Sequence, residues 1–292
     1  MKELKKDLKR DFEYLHKIID DGFSEGLMKW IEAQKGYFDI LERDLEILFR
    51  YFSLKTLRDC YRKKIENESE ILQIIHEIHI GALLSSVGKL IGMKVPNPDD
   101  PKKNYDFKIS FEDHDFNVEV KTRSDFPFEG SERSFAFRRE MVDQKYFGRS
   151  NDGEPESNRI RAILEGAANQ LPVLELNIIA LGQIFSIRAK SALDAFRNAV
   201  FGDLVFEDCG RDNRGYKRIG NGLFMQDDFK QKISGVIWFQ LKNDSSEFTP
   251  EYILYLNPNK QDPRLINIKE KLDQIFLSES SDATVDKESD KK

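Results

Sequence analysis

Two short stretches of alternating polar and apolar residues carry side chains that could do chemistry. In FNVEVKT, Glu119 and Lys121 alternate with apolar residues, and in YDFKIS, Asp106 and Lys108 alternate with apolar residues in the same way. Side chains two residues apart in a β-strand point to the same face of a sheet. If both strands turn their apolar side to the core, then Asp106, Glu119 and Lys121 share one surface.

Two carboxylates on one surface repel each other unless a cation, a shared proton or a basic neighbour compensates. Magnesium is the natural compensator, because it prefers oxygen ligands and is typically held by one or two carboxylates and a substrate phosphate. Lys121 would then lie beside a metal-bound water, where it could orient that water or neutralise charge on the phosphate. The pattern predicts a magnesium-dependent phosphodiesterase site. The alternative is a solvated sheet face with a cross-strand ion pair, worth less than about 1 kcal/mol.

The elements that must position these residues are a hairpin and the helix before it. The turn-rich stretch VPNPDDPKKN precedes the two alternating runs, and FEDHD joins them, which predicts a β-hairpin. Ahead of the turns, SEILQIIHEIHIGALLSSVGKLIG is apolar on most faces and predicts a buried helix. Glu77 is an acid on this helix, and Glu70 lies on nearly the same face. A surface glutamate is the alternative for either residue.

The same helix carries His76 and His79, which flank Glu77 in HEIH. A zinc metalloprotease needs two histidines at i and i+4 with the glutamate between them, and here the spacing is i, i+3. The spacing excludes that class. His114, in the hairpin turn, is expected to be exposed.

With these elements in place, the residues match a known pattern. Asp106 followed by Glu119-Val120-Lys121 resembles the PD-(D/E)xK nuclease superfamily, which includes many restriction endonucleases and Holliday-junction resolvases. Glu77 stands for the glutamate that this superfamily usually has on the preceding helix. Tyr105 precedes Asp106 where the pattern has proline.

The resemblance implies a role for each matched residue. Asp106, Glu119 and Glu77 would bind Mg²⁺, for which Mn²⁺ could substitute, and Val120 would add its backbone carbonyl. Lys121 would assist the attacking water. It also implies an α/β fold, a restriction-endonuclease-like mixed β-sheet flanked by helices. The motif match covers roughly residues 70 to 125, and the order of elements extends it to about 257.

The rest of the chain divides into three predicted regions. Residues 1–68 have helical periodicity and predict an N-terminal helical extension, which would pack on the main domain or on a second subunit. Residues 69–276 alternate between helices and strands after the hairpin and form the nuclease-like domain. Residues 277–292 are polar and free of aromatics, which predicts a disordered tail.

Several residues outside the motif are candidates for nucleic-acid contact. Arg138 and Arg139 lie in a segment that interleaves arginines with aromatic residues, a composition that suits contact with a nucleic-acid backbone or unstacked bases. Lys108 shares the predicted active face, and Gln170 follows on a later helix. The alternatives are loop packing for the segment's aromatics, a plain surface lysine and an exposed helix face.

Composition indicates where the protein is located more than which reaction it catalyses. The net charge of −6 over 292 residues disfavours a protein that coats nucleic acid through bulk positive charge. No run of eighteen apolar residues occurs and the first residues are highly charged, so we expect a cytoplasmic protein without a membrane span or secretory signal. Cys60 and Cys209 are isolated and are expected to be reduced.

These observations lead to competing functions. The first is a magnesium-dependent endonuclease acting on DNA, with a restriction or other defence system as one setting. The alternative is a catalytically inactive nuclease-fold protein that binds nucleic acid or acts as a scaffold. A nuclease for RNA or branched DNA would use the same site. The N-terminal helices are the predicted surface for a homodimer or a partner protein.

Overall fold

A computed structural model gives the structure of the protein. The residues that it describes are 10–20, 22–67, 70–112, 114–122, 156–173, 175–184, 189–208, 214–218, 220–244, 247–260 and 262–285.

The described strands form a mixed six-stranded sheet and a separate two-stranded hairpin. The large sheet contains β1 (Lys89–Asn97), β2 (Asp100–Phe111), β3 (His114–Thr122), β4 (Leu176–Ile184), β7 (Gly235–Asp244) and β8 (Glu247–Leu256). The small one contains β5 (Leu204–Asp208) and β6 (Arg214–Arg218). The order in the large sheet is β1-β2-β3-β4-β7-β8, with β3, β4 and β7 parallel and the other neighbours antiparallel.

Helices precede, interrupt and follow the strands. They are α1 (Glu13–Ile19), α2 (Glu25–Ala33), α3 (Lys35–Leu48), α4 (Leu54–Ile65), α5 (Ile71–Ser85), α6 (Glu156–Ala168), α7 (Ala189–Phe201) and α8 (Pro263–Val285). The Ser24 and Ser53 hydroxyls cap α2 and α4 by accepting backbone N–H groups of the first turn. Within the described residues, no helix is both long and apolar enough to cross a membrane.

The large sheet is covered on both faces, so the fold is α/β with a mixed sheet flanked by helices. One face carries Phe107, Val118 and Val120 into a core that is continuous from the N-terminal helices through α5 to α8. The other face carries Ile179 and Trp238 into a second core with α6 and α7. The alternative of a solvated sheet face does not hold for the polar residues of β3, because α6 and α7 cover that side and Glu119 is buried.

Helix α5 lies against the sheet and is buried from residue 74 to residue 84. Gly81 permits this close packing, because a Cβ there would lie 2.6 Å from the ring of Phe107 on β2. The buried helix predicted from the apolar sequence is confirmed. Its position brings Glu77 to the edge of the β2–β3 pair.

Strand β1 differs from the prediction, which had a helix in SEILQIIHEIHIGALLSSVGKLIG and turns from residue 95. The structure has a strand through Asn97, with an irregularity in its pairing between Leu90 and Gly92. Pro96 is accommodated because β1 is an edge strand of the sheet, where a missing N–H donor breaks no ladder on the open side.

The C-terminal helix also differs from the prediction. Helix α8 continues to Val285, beyond the predicted start of a disordered tail at 277. The segment 277–285 contains neither glycine nor proline, so a helix that begins on the buried side chains of Leu265, Ile268 and Leu272 is not forced to stop. Residues 286–292 lie outside the described residues.

Candidate active site

The carboxylates predicted from the sequence lie where β2 and β3 separate. The paired register of these strands runs from Phe111↔His114 to Phe107↔Val118, and Asp106 is the next residue of β2. Glu77, Asp106 and Glu119 are 1%, 5% and 1% exposed, so three acidic residues are buried in one neighbourhood.

Beyond the last β2–β3 pair, side chains form the hydrogen bonds to the backbone of β3. Asp106 Oδ2 accepts a hydrogen bond of 2.7 Å from the Val120 N–H. Gln73, on α5, donates from Nε2 to the Val120 carbonyl at 2.9 Å and accepts from the Thr122 N–H at 2.7 Å. These bonds fix the Asp106 carboxylate and satisfy the exposed edge of β3. A carbonyl oxygen has two lone pairs, so Val120 retains one for a further partner.

Gln73 was not among the candidates from sequence reasoning. The available signal was its spacing, since Gln73 is four residues before Glu77 and shares its face of α5.

Lys94 is a second residue that sequence reasoning missed. Its Nζ donates to Glu77 Oε2 at 2.8 Å and to Asp106 Oδ1 at 2.5 Å. It lies on β1 directly opposite Asp106, between the pairs Met93↔Phe107 and Val95↔Tyr105. Its φ of 50° is in the left-handed region, which residues other than glycine rarely adopt. A strained backbone of this kind tends to occur at functional sites.

Glu77 is held on both carboxylate oxygens. The Tyr61 hydroxyl donates to Oε1 at 2.8 Å, and Lys94 donates to Oε2. Burial and the nearby charge of Asp106 raise the pKa of Glu77 to about 7, although Lys94 and Tyr61 oppose the rise. Between Glu70 and Glu77, the structure places Glu77 at the site, because Glu70 is the N-cap residue of α5 and its side chain accepts a hydrogen bond from Asn67.

Glu119 has one paired oxygen and one unpaired oxygen. Lys121 Nζ donates to Oε1 at 2.5 Å, while Oε2 is buried and has no hydrogen-bond partner among the described residues. Burial and the charge of Asp106 raise the pKa of Glu119 to about 8, against the opposing effect of Lys121. A buried unpaired carboxylate oxygen is costly, which favours a ligand at this position.

The side chains of this cluster do not form a complete set of metal ligands in the present arrangement. Within the described ranges, no group of three or more histidine, cysteine and acidic side chains is arranged around a common metal position. The Lys94 ammonium contacts both Glu77 and Asp106. Asp106 and Glu119 nonetheless supply carboxylate oxygens, the type of donor that Mg²⁺ prefers.

Of the predicted nucleic-acid contacts, the two that lie among the described residues do not join this cluster. Lys108 pairs with Asp115 at 3.3 Å, and the Gln170 carbonyl accepts a hydrogen bond from Asn97 at the end of β1. Arg138 and Arg139 lie outside the described residues. His114 is exposed, as expected.

Two buried histidines of α5, His76 and His79, flank Glu77 and form further hydrogen bonds. His79 Nδ1 is 2.6 Å from Asp44 Oδ2 on α3, and its Nε2 bonds the Tyr252 hydroxyl on β8. His76 Nδ1 bonds the Thr122 hydroxyl at 2.8 Å, and burial lowers the pKa of His76 to about 3. The two histidines therefore have separate partners.

Comparison of the chain with protein-family models, with curated proteins and with solved structures finds no match.

Proposed function

We propose that this protein is a magnesium-dependent endonuclease, with a restriction-endonuclease-like fold, that hydrolyses phosphodiester bonds in DNA. The observation that carries the proposal is the meeting of Glu77, Asp106 and Glu119 where β2 and β3 separate, with Lys121 bonded to Glu119. The order of elements supports it, since α5 supplies one acid and the two strands supply the others. A cytoplasmic location goes with access to DNA.

Each residue has a distinct part in the proposed reaction. Asp106 and Glu119 supply oxygen ligands, Glu77 supplies a third, and the Val120 carbonyl offers its remaining lone pair. Mg²⁺, when bound, lowers the pKa of a water molecule and polarises a phosphoryl oxygen. Lys121 orients the attacking water or places positive charge where charge develops on the phosphate.

The raised pKa values of Glu77 and Glu119 make Mg²⁺ binding dependent on pH. Glu77 and Glu119 have pKa values of about 7 and about 8, so each holds a proton over part of the neutral range. A carboxylate must lose its proton to bind a cation. Binding of Mg²⁺ would therefore release protons near neutral pH, and Mn²⁺ would do the same.

The test is cleavage of plasmid and linear DNA with Mg²⁺, Mn²⁺ or EDTA. Asp106→Asn keeps an acceptor for the Val120 N–H but removes the charge, and Lys121→Ala removes the ammonium. We expect each to lower the cleavage rate by about 10²-fold or more, the usual cost of losing one electrostatic group from an active site.

Lys103→Ala is the matched control, because Lys103 is an exposed lysine of β2 that pairs with Asp100 on the same strand. It should cleave like the wild type. Equal cleavage by the wild type, Asp106→Asn and Lys121→Ala would mean contamination and would overturn the proposal. A parallel panel with RNA and branched DNA identifies the nucleic acid.

A second candidate function is a nuclease-fold scaffold or nucleic-acid-binding protein without turnover. The observation that favours it is the Lys94 ammonium, which satisfies Glu77 and Asp106 without a metal. In that case the N-terminal helices would recruit a partner protein or a second copy. Calorimetry that detects no Mg²⁺ binding, together with intact folding, would favour this candidate.

A further inference from the structure

The position of Lys94 raises a question about how a divalent cation reaches the site. Its ammonium contacts oxygens of two carboxylates, at 2.8 Å from Glu77 and 2.5 Å from Asp106. Lys121, in contrast, contacts the single carboxylate of Glu119. Lys94 thus occupies the space between two oxygens that a metal ion would need to share.

We propose that Lys94 is an internal counter-ion that competes with the divalent cation and leaves the carboxylates when the cation binds. The inference rests on the proposed function and adds a regulatory step to it. The exchange is one of ions alone, because the ammonium stays protonated and no covalent bond changes.

Three features of Lys94 support displacement. The Lys94 side chain is 26% exposed, whereas the side chains of Glu77 and Asp106 are 2% and 7% exposed. Of the three side chains, Lys94 therefore has the most access to water. It lies on the edge strand β1 and has a flexible four-carbon stem that can reach solvent. Its φ of 50° shows a backbone held in an unfavourable conformation.

Charge favours the exchange as well. Three acidic groups and two lysines meet here, so the fully ionised cluster keeps an excess negative charge. Replacing one ammonium by a divalent cation removes that excess. Without the cation, Lys94 limits the repulsion between buried carboxylates.

The experiment is calorimetric titration of Mg²⁺ alone into wild type, Lys94→Met and Lys121→Met. Lys121 is the matched control, because it is a lysine of nearly equal exposure, 27%, that pairs with a neighbouring carboxylate. Removing a competing charge should tighten Mg²⁺ binding about tenfold in Lys94→Met, and the gain in Lys121→Met should be clearly smaller. Lys94→Gly provides a second variant, because glycine accepts the φ of 50° if the methionine variant fails to fold.

A labelling experiment on the wild-type protein complements the variants. Acetylation of lysines, read by mass spectrometry, should increase at Lys94 when Mg²⁺ is added and stay constant at Lys103.

The outcomes separate this inference from the proposed function. Tighter binding in the Lys94 variants, with greater labelling of Lys94 in Mg²⁺, supports the exchange. Unchanged or weaker binding, or equal gains at Lys94 and Lys121, overturns the exchange and leaves the metal site. Absence of Mg²⁺ binding in every variant overturns both.

Discussion

Helix α5 carries a buried acidic cluster at Glu77 and a buried hydrogen-bond network at His79, and the two differ in how completely their groups are paired. At Glu77, two partly exposed lysines accompany three buried carboxylates, and Glu119 Oε2 has no partner among the described residues. At His79, two residues further along, Asp44 and the Tyr252 hydroxyl bond both ring nitrogens.

Both sets of side chains are buried, so burial alone does not distinguish a structural network from a candidate functional site. In the His79 cluster, Asp44 also accepts from Arg43, and the ring of His79 stacks on Tyr252 at an interplanar angle of 16°. Such a network fixes α3, α5 and β8 against each other. The Glu77 cluster contains a lysine with a φ of 50° and a buried oxygen without a partner among the described residues, and such groups are common at functional sites.

The largest expected effect is on stability, from Asp44→Ala. The substitution removes the buried carboxylate that bonds both Arg43 and His79, and losing a charged buried hydrogen-bonding group costs about 3 kcal/mol or more. Urea unfolding should show this loss, while Mg²⁺ affinity of the folded protein stays near that of wild type. A small change in stability, or a large change in Mg²⁺ affinity, would contradict the division between the two clusters.

The next effect is on the pH dependence of stability. Glu77 and Glu119 have folded-state pKa values of about 7 and about 8, above the ordinary value of 4.5. Between pH 4.5 and these values the folded chain binds more protons than the unfolded chain, so these groups lower stability as pH rises through that window.

Magnesium should offset that loss. We expect Mg²⁺ to raise the melting temperature more at a pH near 8.5 than near 5.5, because the carboxylates that bind it are ionised only at the higher pH. The double variant Glu77→Gln/Glu119→Gln is the control and should lose the response. An equal response at both pH values would exclude these two groups as the cause.

The smallest effect is expected from Tyr61→Phe, which removes one hydrogen bond to Glu77 Oε1. The loss should cost about 1–3 kcal/mol, because a buried carboxylate oxygen is left without its donor. Since the Tyr61 bond opposes the rise in the pKa of Glu77, Mg²⁺ binding at pH 7 should also weaken slightly. Tyr37→Phe, a buried tyrosine of α3, serves as the comparison and should leave Mg²⁺ binding unchanged.

The β2–β3 hairpin could be predicted because its signals are local. Alternation over a few residues identified both strands, and the turn residues placed the loop between them. The same pattern brought Asp106 and Glu119 to one place, and the apolar sequence of α5 predicted its burial.

The parts that were missed depend on contacts between distant residues. Strand β1 has a proline, a glycine and an irregular register, so its sequence is not strand-like without the neighbour that it pairs with. Lys94 was missed with it. Tyr61 and Tyr252 lie far in sequence from their partners Glu77 and His79, and nothing in a local pattern indicates such pairs.

The continuous core between the N-terminal helices and the sheet has a consequence for modularity. Tyr61 and Asp44, which bond side chains of α5, both precede residue 69. A chain that began at residue 69 would lack one wall of the candidate site and one end of the buried histidine network. We therefore expect the helical region and the sheet to unfold as a single cooperative unit, because one core and the same side-chain bonds join them.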